Sequence, residues 1–244
     1  MKKMHKFLNY KDKRNHDIKI NIDKFGESEY IKIIEKSFED SIKNKSNLPE
    51  WILNMEGMSG ISYRCFINNL IKYLNNSKYL EVGCWKGSTT CSAIFGNEVK
   101  SYCIDNWSEF GGPKKVFCEN IQKCVNECDD IEIIFEEEDF RKINYTKIGK
   151  YNVYFFDGPH GEKDQYDGLM VAQPALDDEF IFICDDWNFK QVREGTKNAF
   201  IDNKIEILYS LTIFTSLNGG MSIIDNCIQN SHWHNGYFIS ICKK

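Results

Sequence analysis

No Cys-x-x-Cys pair occurs among the ten cysteines of this 244-residue chain, no apolar run approaches the roughly 20 residues of a membrane span, and there is no excess of basic charge. Each absence excludes something. Ten scattered cysteines in a chain this long do not form a disulfide framework. Cys118, Cys124 and Cys128 first suggest zinc. However, Phe117, Ile121, Cys124 and Cys128 repeat at steps of four, three and four, which is one apolar helix face. Free cysteine packs there as a small hydrophobe, consistent with a reducing, cytoplasmic setting. A formal net charge of −5 argues against nucleic acid as the main partner. The N-terminal stretch is basic but has no continuous apolar core, so it does not read as a secretory signal. Neither a membrane partner nor an internal repeat is expected.

The residues that are present can fill a core: 42% are hydrophobic and 14% aromatic. Residues 1–25 are rich in Lys, Asn and Asp and are expected to be loosely held. Ile31, Ile34, Phe38 and Ile42 follow at helical spacing. Residues 1–50 therefore read as a polar and helical extension, whose helix offers a contact for a homodimer, and residues 51–244 as one α/β domain. A helix is expected over about 59–75. From residue 78 onward, short apolar runs alternate with helical stretches, which predicts a parallel sheet covered by helices. Strands are expected at Tyr79–Val82, Val99–Ile104, Ile131–Phe135, Val153–Phe156 and Phe180–Cys184, with helices near 88–95, 114–128, 162–173 and 189–202. Two more strands, Ile205–Ser210 and Tyr237–Cys242, and a Gly219-Gly220 turn beside Met221–Ile224 complete the pattern.

In an open parallel sheet, ligands bind outside the carboxyl ends of the strands. Here every one of those ends carries an acid: Glu81, Asp105, Asp139, Asp157 and the Asp185-Asp186 pair. Strand composition alone gives no reason for this. After Glu81, Gly83 and Gly87 lead into a helix start at Ser88-Thr89. Glycines at such a turn let the backbone approach a ligand closely. The spacing is neither the dinucleotide G-x-G-x-x-G nor a phosphate loop ending in Lys-Ser/Thr.

Asp105 stands 22 residues after Gly83, near the distance at which an acid meets a ribose. A plain strand-end cap would also explain it. Asp139 and Phe140 are placed beside a base, and Trp107 either covers that base or belongs to the core. Asp157, Asp185 and Asp186 converge if strands four and five are neighbours. Two carboxylates about 4 Å apart repel by roughly 4 kcal/mol at an effective dielectric of 20. A hard divalent cation, most simply Mg²⁺, resolves the conflict; helix capping and solvation would account for the acids without one. His160, three residues beyond Asp157, suits proton removal near neutral pH.

Glu-Val-Gly-x-x-x-Gly-Ser, Ile-Asp-Asn-Trp, Asp-Gly-x-His and Asp-Asp-Trp-Asn resemble, in that order, the motifs of class I S-adenosylmethionine-dependent methyltransferases. The likeness is to the Mg²⁺-dependent catechol-type and macrolide-sugar O-methyltransferases, and it covers about residues 55–244. It implies a Rossmann-like, seven-stranded, mostly parallel sheet with helices on both faces and the last strand antiparallel. It also implies S-adenosyl-L-methionine as donor, Asp157, Asp185 and Asp186 as metal ligands, and His160 as the base. Gly57-Met58-Ser59-Gly60 resembles the segment that closes over the methionine end of the donor, which adds Met58 and Gly60 to the expected contacts. Pro159 departs from the family pattern and bears on the reach of His160.

The expected acceptor is a hydroxyl of a glycan or a small molecule. A sugar-nucleotide glycosyltransferase would use Asp185-Asp186 but leave Gly83 and Asp105 idle. A metal-independent methyltransferase and a non-catalytic binding module also remain compatible with these residues. His232-Trp-His234-Asn-Gly236 reads as a surface turn into the last strand, with substrate contact and a separate zinc site as lesser readings.

Overall fold

The computed structural model describes residues 4–9, 18–129, 131–216, 219–221 and 232–244, the first of these segments by backbone alone. The segment Met221–Ile224, beside the expected Gly219-Gly220 turn, lies almost wholly outside the described residues.

Among the described residues, nine strands form one sheet: β1 (Met4–Asn9), β2 (Lys19–Lys24), β3 (Ser77–Val82), β4 (Val99–Asp105), β5 (Ile131–Glu137), β6 (Tyr151–Phe156), β7 (Leu176–Cys184), β8 (Glu206–Phe214) and β9 (Tyr237–Lys243). Their spatial order is β1-β2-β8-β9-β7-β6-β3-β4-β5. The five strands β3 to β7 pair in parallel, while β9 inserts antiparallel between β7 and β8. The seven-stranded arrangement expected from the sequence is thus present, with its last strand antiparallel.

Two strands more than expected extend it. Residues 4–9 and 19–24, whose composition suggests a loosely held segment, pair antiparallel with one another, and the second of them pairs with β8. The polar composition masks a short signal: Ile18, Ile20 and Ile22 alternate, with Ile20 buried and Ile22 packed against the core. Backbone pairing to the β8 edge makes the strand.

The helices are α1 (Tyr30–Ser41), α2 (Glu50–Leu53), α3 (Ile61–Tyr73), α4 (Ser88–Ile94), α5 (Lys114–Glu127), α6 (Glu162–Ala172) and α7 (Lys190–Asp202). They divide between the two sheet faces. One core cluster joins Phe38, Phe66, Leu70, Cys91, Phe117 and Ile121 from α1, α3, α4 and α5 to inward strand residues such as Tyr79 and Phe155. The other joins Leu169 of α6 and Val192 and Phe200 of α7 to Tyr154, Phe156 and Phe182. Strand residues alternate between these clusters, as the period of two requires. The apolar face of α1 packs within the chain: Ile31, Ile34 and Phe38 are buried, and Phe38 meets Trp233 with ring centroids 5.6 Å apart. That apolar face is thus covered by its own chain. Phe117, Ile121 and Cys124 are buried as the helical spacing predicts, and the described cysteines are all free thiols. Among the described residues, no helix is long and apolar enough to cross a membrane.

Candidate active site

Parallel pairing puts the carboxyl ends of β3, β4, β6 and β7 on one edge, and the acids gather there. The turn after β3 sets the geometry. Gly83 has φ +87°, and a Cβ on it would lie 1.9 Å from the carbonyl oxygen of Asp157. Only glycine lets the β3 turn lie this close to the end of β6. Gly87, with φ +85°, starts α4 against the ring of Phe117, which a Cβ would meet at 3.0 Å. Ser88 and Thr89 form the first turn of that helix and are buried.

Asp105 ends β4 and ties the glycine turn down. Its Oδ2 accepts from the backbone N–H groups of Cys84 and Trp85 at 2.7 and 2.8 Å, and its Oδ1 accepts from Trp107 N at 2.7 Å. Trp107 turns inward: its ring packs against Phe117 at 5.2 Å and its Nε1 donates to Trp85 O at 2.8 Å. The indole thus braces the turn from the core side. Asp139 accepts from Arg141 N at 2.9 Å and opens a single 3₁₀ turn. Phe140 is buried against Phe156, centroids 5.4 Å apart, with the Arg141 guanidinium over its outer face. Its ring is core, so any contact it makes with a base at this edge runs through its backbone or through Asp139.

Glu81 is fully buried beneath the turn. One carboxylate oxygen accepts from Thr90 Oγ1 at 2.9 Å; the other has no hydrogen-bond partner. Burial pushes its carboxyl up to about 8, against the opposing pull of the Thr90 and Tyr79 hydroxyls.

Before α3, the Gly57-Met58-Ser59-Gly60 segment docks onto the start of α4. Ser59 Oγ lies 3.0 Å from Ser88 Oγ, and a Cβ on Gly57 would collide with Ser88 at 2.1 Å. Met58 is half-buried, and Gly60 precedes the first turn of α3. The fully buried Arg64 holds this segment, donating to the carbonyls of Ile52, Leu53, Met55 and Ser59 at 2.8 to 3.2 Å. Sequence reading misses Arg64, which lies between Tyr63 and Cys65 in a helix of mostly apolar residues; a cation at such a position is the signal that was available.

Asp157, Asp185 and Asp186 come to the same strand-end edge, but the ligand atoms lying within 4.8 Å of one another are those of Asp185, Asp186 and His234, without Asp157. His160 bridges two of the three acids, with Nδ1 3.0 Å from Asp186 Oδ2 and Nε2 3.5 Å from Asp157 Oδ1. Pro159 does not stop His160 from reaching these acids. Asp185 and Asp186 are both buried, and an oxygen of each lacks a hydrogen-bond partner. Burial and the neighbouring acids push the carboxyl of Asp185 far up. Burial also raises Asp157, against the opposing contact with His160. Asp186 is lowered, because His160 and other polar neighbours outweigh its burial. Burial would lower His160, but Asp157 and Asp186 together push it up to about 11.

The expected surface turn at 232–236 is corrected. His232, Trp233 and His234 are all buried. His232 Nδ1 lies 2.5 Å from Ser62 Oγ, Trp233 fills the core, and His234 Nδ1 lies 3.9 Å from Asp186 Oδ1. The turn faces the sheet edge because β9 starts in the centre of the sheet, a placement that short-range sequence signals do not carry. Asp185, Asp186 and His234 bring potential ligand atoms within 4.8 Å of one another.

The residues fit a divalent cation: two buried carboxylate oxygens without donors lie beside a third acid and an imidazole, a donor set hard cations accept. They also fit a nucleoside-bearing donor. Gly83 lets the β3 turn close up against the end of β6 at the strand-end edge, and Asp105, half-exposed, keeps lone pairs beyond its three backbone bonds.

No protein-family model matches the chain, and no curated protein matches its sequence. Its fold is matched by many solved structures. An O-methyltransferase from Bacillus cereus, in complex with S-adenosylhomocysteine, superposes with a TM-score of 0.52 at 13% identity, over 87% of this chain and 91% of that one. A methyltransferase from Podospora anserina, also bound to S-adenosylhomocysteine, gives 0.51 at 12% over 91% and 90%. A putative RNA methyltransferase from Pyrococcus horikoshii gives 0.50 at 13% over 86% and 98%. TrmN from Thermus thermophilus gives 0.51 at 12%, where 79% of this chain spans 51% of that protein. The strand order, the inserted antiparallel β9 and the glycine turn after β3 are those of the class I S-adenosylmethionine-dependent methyltransferase fold, and this chain is built on it.

Proposed function

We propose that this protein is an S-adenosylmethionine-dependent O-methyltransferase that uses a divalent cation and acts on a hydroxyl of a glycan or small molecule. One observation carries the reading: Asp157, Asp185, Asp186 and His160 meet at the strand ends directly against the Gly83 turn, where the backbones of Gly83 and Asp157 touch. Acids gathered for solvation or helix capping would not need to be buried with oxygens left unpaired.

The chain's residues divide the work. Gly83, Gly87, Ser88 and Thr89 form the cradle for the donor, and Asp105 both fixes that cradle and faces its ribose. Asp139 and Phe140 flank the base, and Trp107 braces the turn from beneath. Glu81 supports the turn from the core, while Met58 and Gly60, held through Arg64, close over the amino-acid end. The donor supplies an activated methyl on a sulfonium. Asp157, Asp185 and Asp186 would hold the cation, which would supply Lewis-acid orientation and acidification of the acceptor hydroxyl and offset the negative charge around His160. His160, 39% exposed at its side chain, is the group that opens toward an acceptor and takes the hydroxyl proton. Holding both reactants in attack geometry contributes about 7–11 kcal/mol.

RNA as acceptor is the weaker reading. One similar structure is named a putative RNA methyltransferase, but the net charge of −5 and an acidic site give a polyphosphate no electrostatic attraction. The deciding experiment is a titration with S-adenosylhomocysteine, followed by methyl transfer from labelled donor to a panel of sugars, phenols and RNA, with and without EDTA. Saturable binding and cation-dependent labelling of a hydroxyl compound support the reading. Transfer that survives EDTA sinks its metal component, and absence of donor binding sinks it entirely.

A further inference from the structure

The turn carrying His234 is built into the acidic cluster. Trp187 N donates to Gly236 O at 3.2 Å and Asn188 N to Asn235 O at 3.0 Å, so the exit of β7 is stitched to the turn before β9. The fully buried Asn188 completes the seam. Its Nδ2 donates to Thr215 Oγ1 at 2.9 Å, its Oδ1 accepts from Thr215 N at 3.0 Å, and Thr215 Oγ1 donates to His234 O at 2.6 Å. The His234 backbone is thereby fixed relative to the Asp185-Asp186 turn through one shared amide.

Two residues in this seam hold backbone conformations that side chains rarely adopt: Asp186 at φ 55° and His234 at φ 38°. Gly236, at φ +86°, has no room for a Cβ, which would lie 2.4 Å from Ile213 O. Left-handed backbone at non-glycine residues persists only where the surroundings enforce it, and it concentrates at functional sites. Both residues point their side chains into the same pocket, with His234 Nδ1 3.9 Å from Asp186 Oδ1. Independently, Asp185 is 4% exposed and its Oδ1 accepts no hydrogen bond. A buried carboxylate oxygen without a donor is what a cation site leaves when its side chains are considered alone.

We propose that His234 is a nitrogen ligand of the cation held by Asp185 and Asp186, and that it tilts the site toward first-row transition metals over Mg²⁺. The inference rests on the metal-dependent reading above and adds a residue to it. Mg²⁺ prefers oxygen donors and retains its waters, whereas an imidazole beside two carboxylates suits Mn²⁺, Fe²⁺, Co²⁺ or Zn²⁺ progressively better. The two histidines then have separate tasks. His234, 8% exposed at its side chain, ligates from the buried side, while His160 stays open to the acceptor.

The test uses the full chain, stripped of metal, with Mn²⁺ alone as probe. Mn²⁺ binding is followed by continuous-wave electron paramagnetic resonance, and directly bound nitrogen by pulsed measurement of ¹⁴N coupling. His234→Asn is the informative variant, since asparagine tolerates left-handed backbone and removes only the imidazole; its circular dichroism and melting report whether it folds. His160→Gln is the control. The expected result is one Mn²⁺ site with ¹⁴N coupling that persists in His160→Gln and vanishes in His234→Asn. In His234→Asn, Mn²⁺ affinity and its preference over competing Mg²⁺ should each fall on the order of tenfold or more. Should Mn²⁺ bind in an Asp185-dependent manner without ¹⁴N coupling, or with coupling unchanged in His234→Asn, the inference is overturned while the carboxylate site stands. If His234→Asn fails to fold, His234→Gln gives the same readout. Failure of Mn²⁺ to bind the wild-type chain overturns this inference and the metal-dependent reading together.

Discussion

Nδ1 of His160 lies 3.0 Å from Oδ2 of Asp186, and this contact links the fourth and fifth parallel strands of the sheet across their carboxyl ends. Nothing local in the sequence makes that contact, since the two residues come from turns after different strands. It orients the ring that is assigned to proton removal.

Replacing His160 with Ala should therefore reduce turnover by about 10²- to 10⁴-fold, the usual worth of a positioned general base. S-adenosylhomocysteine affinity should stay within about twofold, because the donor cradle is built from other residues. Comparing kcat with calorimetric affinity decides the matter; a variant with full turnover removes His160 from the chemistry.

Asp185 offers a contrast between stability and function. Its buried carboxyl, pushed far up by burial and by Asp157, destabilises the metal-free fold whenever it must ionise. Asp185→Asn should raise the melting temperature measured in EDTA at neutral pH. The same variant should lose the cation-dependent rise in melting temperature, which for wild type at a hundredfold excess over Kd corresponds to about 2.7 kcal/mol. A lower melting temperature in EDTA would contradict the assignment of an uncompensated acid.

Glu81 predicts a pH dependence. Its carboxyl is raised by burial from an ordinary 4.5 to about 8 in the folded protein. Between those values the folded state binds more protons than the unfolded one, so the Glu81 contribution falls as pH rises through that window and levels off above it. Glu81→Gln should abolish that slope, so that denaturant unfolding at pH 6 and pH 9 differs less for the variant than for wild type, by a few kcal/mol at most. Equal slopes would mean that Glu81 ionises without penalty.

Gly83→Ala places a methyl 1.9 Å from Asp157 O at a backbone φ of +87°. The turn must then move away from β6. Donor binding should fall by at least tenfold, and stability by about 1–3 kcal/mol. Calorimetry with S-adenosylhomocysteine and thermal melting test the two effects separately. Unimpaired binding would show that the cradle lies elsewhere.

Arg64→Met should loosen residues 52–60, because four carbonyls lose a charged donor at once. Hydrogen bonds to charged groups contribute about 1.5–3 kcal/mol each in mutational series, although they are not additive. Faster hydrogen exchange across 52–60 with unchanged Mn²⁺ binding is the expected pattern, and unaltered exchange would argue that packing alone holds the segment.

Short-range patterning sufficed for the alternating βα order, the acid at each parallel strand end and the demand for glycine at position 83, because these depend on periodicity and on backbone conformation. It also pointed to Asp157, Asp185 and Asp186 as neighbours, since charges at the ends of adjacent parallel strands converge. Three features arose only from long-range packing. Residues 4–9 and 19–24 became strands, because pairing to an exposed edge can override a polar composition. Trp107 and Phe140 went inward, because large rings take whichever core space lies within reach. His234 left the expected surface for the acidic pocket, because the insertion of β9 between β7 and β8 carries its preceding turn to the centre of the sheet edge, a consequence of topology that no local window of residues contains.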